Sequence, residues 1–168
     1  MGGFVSLESP LLSRQRRPDH CPNDNSRYPP MKAEEMLQAH PKSTAISENV
    51  LAECIEACFE CLQMCIACAD ACIGEDTESS LAECIQANLD CADTCDATGR
   101  ILSRLGRSAP ARVRTQVQAC FEACQVCEGH CRNHADEHGH CRICAETCRR
   151  CKEACEAVLA ALDDLPSA

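Results

Sequence analysis

Apolar residues recur along most of this chain at alternating steps of three and four, with charged and polar residues at the positions between them. Such spacing gathers the apolar side chains on one face of a helix. The most regular run lies at 54–72, where every position of the repeat is a cysteine. The pattern predicts four long amphipathic helices, at about 44–73, 76–105, 108–137 and 140–163.

The breaks between the predicted helices are short and carry residues that end or begin helices. Gly74 and Gly106 follow the first two helices, and Pro110 falls in the first turn of the third. A shorter helix is expected over 32–39, because Pro41 follows it. Short connections place consecutive helices antiparallel. The sequence therefore predicts an all-α fold, an antiparallel up-down four-helix bundle with a short N-terminal helix and a Cys-lined core.

Residues 1–30 show no helical repeat and are rich in Ser, Arg, Pro and Asn. We expect a disordered leader or a non-native extension there, followed by a Cys-rich bundle over 31–168, with Met31 as a candidate natural start. Arg16 and Arg17 suggest a twin-arginine export signal, but no apolar segment follows them. A cytoplasmic location is therefore expected, and its reducing conditions suit a chain with 19 cysteines in 168 residues.

The cysteines of the four predicted helices form four rows, which we call the thiol rows. Each row follows the same helical period, so four thiol-bearing faces are expected to meet inside the bundle. Asn88 occupies a position in the second row where a cysteine is due. The candidate metal ligands are the row cysteines: Cys54, Cys58, Cys61, Cys65, Cys68, Cys72; Cys84, Cys91, Cys95; Cys120, Cys124, Cys127, Cys131; and Cys141, Cys144, Cys148, Cys151, Cys155.

Neither disulfides nor packing alone explains the thiol rows. Neighbouring side chains on one helix face have Cβ atoms ~5–6 Å apart, whereas a disulfide needs ~3.8 Å. Leucine and valine fill a helical core better than cysteine and carry no risk of thiol oxidation. Binding of soft metal ions by thiolates is the interpretation that accounts for the rows.

The two ends of the predicted bundle differ in chemistry. At one end the rows continue with mostly apolar residues. We call them the apolar plug: Val50, Leu51, Thr98, Leu102, Leu105, Val113, Val117, Val158 and Leu162. At the other end the third row continues with His134 and His138, while His130 and His140 are close in sequence. This histidine end is predicted to be polar, open and able to bind metal.

The first long helix also carries a second apolar stripe, one residue after its thiol row. Its members are Ile55, Phe59, Leu62, Ile66, Ala69 and Ile73. We expect this stripe to pack between helices, with part of it available for contact between subunits.

Charge distinguishes among the soft ions. Four thiolates around Zn(II) leave about two negative charges per site in a buried core, and the thiol rows contain no Lys or Arg to balance them. One Cu(I) per thiolate is neutral, so Cu(I) is favoured, at close to one ion per row cysteine. Iron–sulfur ligation is less favoured, because the rows lack the glycine-rich loops and the Cys-Pro ending of ferredoxins.

Two alternative functions stay open at this point: a thiol-rich buffer for Zn(II) or other soft metals and, less favoured, a thiol redox protein. A thiol enzyme needs one or two exposed cysteines of low pKa beside a base. Many buried thiols do not follow that pattern, so we do not expect an enzyme. The net charge of −10 and the aromatic content of 2% argue against nucleic acid as a partner. No apolar run reaches the ~18 residues of a membrane span, so no membrane partner is expected.

A four-helix bundle with inward-facing rows of Cys-x-x-x-Cys and Cys-x-x-Cys, preceded by a short helix, resembles the bacterial copper storage proteins. Without an export signal it resembles their cytosolic branch, and the resemblance extends over 31–165. It implies a homotetramer whose chains each bind many Cu(I) ions inside a preformed tube. The row cysteines then correspond to the copper ligands, and His134, His138 and His140 to the mouth through which copper passes. The resemblance also implies a polar residue near this mouth on the second helix, a position that Asn88 fills.

Overall fold

The computed structural model describes residues 32–42, 44–75, 78–104 and 110–165. In these ranges the chain forms five α-helices and no strand, and none of the helices is long and apolar enough to cross a membrane. The helices are α1 (Ala33–Gln38), α2 (Glu48–Ile73), α3 (Glu78–Leu102), α4 (Pro110–Asn133) and α5 (Gly139–Asp163). The predicted leader at 1–30, together with Met31, lies outside the described residues.

Sulfur contacts give the relative directions of the long helices. Near the start of α2, the Sγ of Cys54 lies 4.0 Å from that of Cys155 near the end of α5. Near the end of α2, the Sγ of Cys72 lies 3.9 Å from that of Cys141 at the start of α5. These two helices are therefore antiparallel. Because α2 and α4 each pack against both α3 and α5, and α1 packs against α2, the predicted up-down four-helix bundle with a short N-terminal helix is confirmed.

The first long helix begins later than its predicted start at about residue 44. Helix α2 starts at Glu48, after Ser47 in an extended conformation (φ −53°, ψ 129°). Upstream, the hydroxyl of Thr44 donates a hydrogen bond to the carbonyl of Ile46 (2.6 Å). A threonine that bonds its local backbone in this way favours a turn over a helix.

Helix α4 ends at Asn133, whereas its thiol row predicts a helix to about residue 137. The amides of His134 and Ala135 donate to carbonyls only three residues back, those of Cys131 (3.1 Å) and Arg132 (3.3 Å). Such bonds tighten the last turn of a helix and satisfy its terminal carbonyls. The histidines that extend the sequence repeat therefore lie in the connection to α5.

Glycine ends α2 where the sequence predicts, but its conformational freedom is not used. Gly74 follows the last helical residue with φ −78° and ψ −5°, which is ordinary right-handed geometry. Helix α3 ends at Leu102, shortly before its predicted end at about 105. Gly106, the predicted stop, lies outside the described residues.

The apolar plug forms a conventional core at one end of the bundle. Its fully or nearly fully buried apolar members are Leu51, Leu102, Val113, Val117, Val158 and Leu162. Thr98 is also buried, and its hydroxyl accepts a hydrogen bond from Gln116 Nε2 (3.0 Å) and donates one to the Thr94 carbonyl (2.8 Å). Val50 is partly buried, and Leu105 lies outside the described residues.

The second apolar stripe of α2 packs over only part of its length. Ile55 and Ala69 are buried, and the ring of Phe59 lies against Gly99 of α3. Ile66 and Ile73 are half exposed, at 51% and 54%. The stripe therefore packs between helices as expected over part of its length, and these two residues are the part left at the surface, since α3 and α5 cover only part of the surface of α2.

Candidate metal centre

The interior of the bundle is lined by thiols from all four long helices. Each of the 18 row cysteines is at most 2% exposed, and none forms a disulfide. The alternating spacing of three and four turns every row inward, because it keeps successive side chains on the same helix face. The structure thus brings together all the cysteines that the sequence singles out.

Each row also contacts its neighbours, so the sulfurs form a network. The Sγ of Cys61 lies 3.8 Å from Cys65 of the same helix, 3.9 Å from Cys91 of α3 and 3.7 Å from Cys148 of α5. Other Sγ–Sγ contacts between helices range from 3.6 Å to 4.0 Å. A single sulfur is therefore within reach of ions bound to several different rows.

Groups of four ligand atoms, all within 4.8 Å of one another, occur along the length of the tube. Groups that contain only thiols include Cys58, Cys120, Cys151 and Cys155; Cys61, Cys95, Cys124 and Cys151; Cys61, Cys65, Cys91 and Cys148; and Cys65, Cys127, Cys144 and Cys148. Successive groups share members, so a sulfur that serves one ion also serves the next. Overlap of this kind fits bridging thiolates along a continuous store.

The distances between the sulfurs do not distinguish one soft metal ion from another, but the balance of charge in the buried core does. A tetrahedral ion with metal–sulfur bonds of ~2.3 Å holds its sulfurs about 3.8 Å apart, which is close to the observed separations. The buried residues of the described ranges include no Lys or Arg, and their polar members are Asn88, Thr98, Glu128 and Thr147. Without buried cations, thiolates are balanced best by one monovalent ion each.

Two thiols that contact His140, those of Cys72 and Cys141, resist ionisation in the metal-free protein. Burial raises the pKa of Cys141 to about 12, and the negative charges of Cys84 and Cys72 add to this effect. Burial also raises the pKa of Cys72. A thiol must lose its proton to bind metal, so loading these sites releases protons.

Asn88 joins four thiols near the histidine end. Its Nδ2 donates to the Cys84 carbonyl (2.8 Å) and lies 3.4 Å from the sulfurs of Cys84 and Cys131. Its Oδ1 accepts from the thiols of Cys144 (3.0 Å) and Cys127 (3.5 Å). The side chain is fully buried. Both ends of the amide are thus satisfied, as expected for a hydrogen-bonding spacer in the second row.

His140 is the histidine that reaches the thiols. Its Nδ1 lies 3.4 Å from the Sγ of Cys141, 3.5 Å from that of Cys68 and 3.8 Å from that of Cys72. These four residues form a further group whose ligand atoms lie within 4.8 Å of one another. The first turn of α5 places His140 there, next to the last turn of α2.

The other histidines extend outward from His140. The ring of His138 lies 5.3 Å from that of His140, and the ring of His134 lies 6.4 Å from that of His138. His130 instead faces a surface carboxylate, with its Nδ1 3.9 Å from Glu83. The histidine end is therefore a short series of imidazoles leading to the thiols, with His130 directed towards Glu83.

Glu75 is a member of this end that the sequence reasoning does not single out. Its Oε1 lies 3.1 Å from His140 Nε2 and 3.2 Å from His138 Nδ1. The hydrogen bond from His140, with the nearby charge of His138, lowers the pKa of Glu75. In the sequence, only its position in the acidic turn after the first long helix, beside the predicted histidine end, indicates that Glu75 belongs to this site.

One protein family matches the part of the chain that carries the thiol rows. A model of the copper storage protein family matches residues 47–160, which is more than half of the chain and includes every thiol row. A comparison with curated proteins finds no match.

Solved structures of the copper storage protein from Streptomyces lividans resemble this chain. The structure loaded with 10 copper equivalents is 41% identical, with a TM-score of 0.74, over 77% of this chain and 98% of the other. The cytosolic protein with five coppers is 46% identical, with a TM-score of 0.66, over 67% and 93% of the two chains. A variant with two histidines replaced by alanine is 42% identical, with a TM-score of 0.69, over 70% and 99%.

Proposed function

The chain belongs to the copper storage protein family, and we propose that it stores many Cu(I) ions on the thiolates of its 18 row cysteines. Its bacterial relative has been solved with five coppers and with 10 copper equivalents, and the role carries over to this chain as storage and detoxification. A store of this kind needs no catalytic group. The relative's cytosolic location fits the thiol content of this chain, since a reducing compartment keeps cysteines free.

The overlap of the four-thiol groups is the observation that carries this proposal. Cys61, Cys65, Cys148 and Cys151 each belong to at least two groups. Isolated zinc sites use four ligands each and share none in the common structural forms, whereas bridging thiolates suit Cu(I). The tube also has no buried Lys or Arg in the described ranges. A continuous series of Cu(I)–thiolate units satisfies both observations.

A buffer for Zn(II) is the second candidate, because the sulfur separations also fit a tetrahedral ion. Zn(II) bound by four thiolates carries a net charge of about −2, which a buried core tolerates poorly without nearby cations. We therefore expect few zinc ions per chain. A thiol redox protein is disfavoured further, because none of the row cysteines is more than 2% exposed.

We assign copper loading to the histidine end. His140 contacts three thiols while its side chain keeps 22% exposure, and His138 keeps 13%. Partly exposed imidazoles beside buried sulfurs can receive an ion from outside and pass it inward. The apolar plug closes the opposite end, where buried aliphatic side chains offer no ligand.

We also propose a homotetramer, in line with the family resemblance. Five large apolar residues on the long helices are at least 44% exposed: Ile66, Ile73, Leu89, Val126 and Ile143. Exposed aliphatic residues mark an association site where they form one contiguous patch. Sedimentation of the full chain tests this directly, and a monomer at all concentrations would reject it.

Titration of the reduced full chain under anaerobic conditions tests the storage function. Cu(I) and Zn(II) are added separately, with a competing chelator to detect the end of stoichiometric binding. Storage predicts saturation near one Cu(I) per row cysteine and far fewer Zn(II). A Cu(I) plateau at one to four ions would reject storage, and equal high capacities for both ions would favour a general buffer. Alkylation kinetics with one hyper-reactive thiol would favour a redox protein.

A further inference from the structure

Glu75 connects the two turns that form the histidine end. It follows α2, whereas His138 and His140 lie at the start of α5, more than sixty residues later. One oxygen, Oε1, lies 3.2 Å from Nδ1 of His138 and 3.1 Å from Nε2 of His140. The two imidazoles therefore present different ring nitrogens to the same carboxylate.

A carboxylate only accepts hydrogen bonds, so each nitrogen facing Glu75 must carry the proton. In neutral His138 the proton then lies on Nδ1, and Nε2 holds the lone pair. In neutral His140 the proton lies on Nε2, and Nδ1 holds the lone pair. That Nδ1 faces the thiols of Cys68 and Cys141 at 3.5 Å and 3.4 Å.

We propose that Glu75 is a positioning residue that holds His138 and His140 in opposite tautomers, so that each offers an unprotonated nitrogen to Cu(I) on its way to the thiols. This inference rests on the proposed storage function and concerns the rate of loading. Carboxylates that accept a hydrogen bond from a ligand histidine fix its tautomer and ring orientation. Glu75 does this for two histidines at once.

His138 gives the sharper test of the tautomers, because free histidine prefers the proton on Nε2. Only a partner at Nδ1 reverses that preference. Glu75 provides this partner for His138, whereas for His140 it reinforces the intrinsic preference. Removal of Glu75 should therefore change the tautomer of His138 more than that of His140.

The chain offers a matched control at the same end. Glu83 lies 3.9 Å from His130 Nδ1, with its side chain 88% exposed. Replacing it removes one negative charge near the histidine end without touching His138 or His140. Glu83→Ala thus reports any general attraction between carboxylates and Cu(I).

Nitrogen NMR of the metal-free, full-length protein with labelled histidine tests the tautomers without copper. We expect wild-type His138 to carry its proton on Nδ1, Glu75→Gln to keep that state through its amide oxygen, and Glu75→Ala to shift the proton to Nε2. Single replacements of His138 and His140 assign the signals. Unchanged His138 signals in Glu75→Ala would overturn the proposal.

Stopped-flow loading from a weak Cu(I) complex tests the consequence. Glu75→Ala should load roughly 10-fold more slowly, as for other partners of ligand histidines, and reach the same final capacity. Glu75→Gln and Glu83→Ala should load at close to the wild-type rate. Equal slowing in Glu75→Ala and Glu83→Ala would mean that the slower loading comes only from the loss of a negative charge near the histidine end, and it would overturn the proposal. A wild-type chain that binds only a few Cu(I) ions would instead reject storage, whatever the NMR result for His138.

Discussion

The sulfur atoms of Cys61 and Cys148 lie 3.7 Å apart, although 87 residues separate them in the chain. The contact joins α2 to α5 in the middle of the tube, and both cysteines belong to two of the four-thiol groups. A change at either position therefore affects more than one potential copper position.

Replacement of Cys61 by alanine should lower the Cu(I) capacity by about one to two ions, because a bridging thiolate serves neighbouring ions. The capacity is read from anaerobic titration of the reduced protein. Cys21 belongs to no thiol row, so Cys21→Ser is the control and should keep the full capacity. An unchanged capacity in Cys61→Ala would contradict the bridged arrangement.

Leu102 tests whether the apolar plug stabilises the bundle independently of metal. It is fully buried, and its replacement by alanine should cost about 2–5 kcal/mol of unfolding free energy. Urea denaturation of the metal-free protein measures this loss, and Cu(I) titration should show the wild-type capacity. Met36→Ala is the control, since Met36 is 70% exposed and its replacement should cost no more than about 0.5 kcal/mol. Equal losses in the two variants would argue against the plug.

The sequence predicts the lining of the tube well and the histidine end less completely. The period of the rows determines which side of each helix faces inward, so the burial of residues such as Cys65 and Cys124 follows from local spacing. The contact of Glu75 with His140 spans 65 residues and depends on how two turns meet, which no local pattern encodes. His134 continues the row in sequence, yet α4 ends before it, because terminal hydrogen bonds rather than side-chain period decide where a helix stops.

Two glycines near helix ends differ in the space around them. An added Cβ at Gly99 would lie 3.0 Å from Cζ of Phe59, whereas one at Gly129 would meet nothing within 4 Å. Alanine favours a helix over glycine by about 0.5–1 kcal/mol, so Gly129→Ala should raise the unfolding free energy by that amount. Gly99→Ala should gain clearly less or lose stability, because the ring of Phe59 must move. Equal gains in urea denaturation would show that the ring adapts freely.

A buried carboxylate links α4 to α5. Glu128 is 6% exposed, and its Oε2 lies 2.6 Å from Lys152 Nζ. Glu128→Ala should cost about 1–3 kcal/mol of unfolding free energy, because it leaves the partly buried ammonium without its partner. Glu153→Ala breaks an exposed pair with Arg149 and should cost less than about 1 kcal/mol. A smaller loss at Glu128 than at Glu153 would contradict a stabilising role for the buried pair.

The raised pKa of the thiols near His140 makes the stability of the metal-free protein fall in alkaline solution. Burial raises the pKa of Cys141 to about 12 and also raises that of Cys72, whereas an unfolded thiol has a pKa of about 8.5. Between these values the unfolded chain ionises while the folded chain holds its protons, so rising pH favours unfolding. Below about pH 8.5 both states are protonated, and these groups cause no such loss.

Thermal unfolding under reducing, anaerobic conditions should therefore show a midpoint that is steady near pH 7 and falls towards pH 10. In the Cu(I)-loaded protein the thiols are already deprotonated by the metal, so this contribution to the fall should be absent. A metal-free midpoint that stays constant to pH 10 would mean that these thiols ionise as easily in the folded bundle as in the unfolded chain.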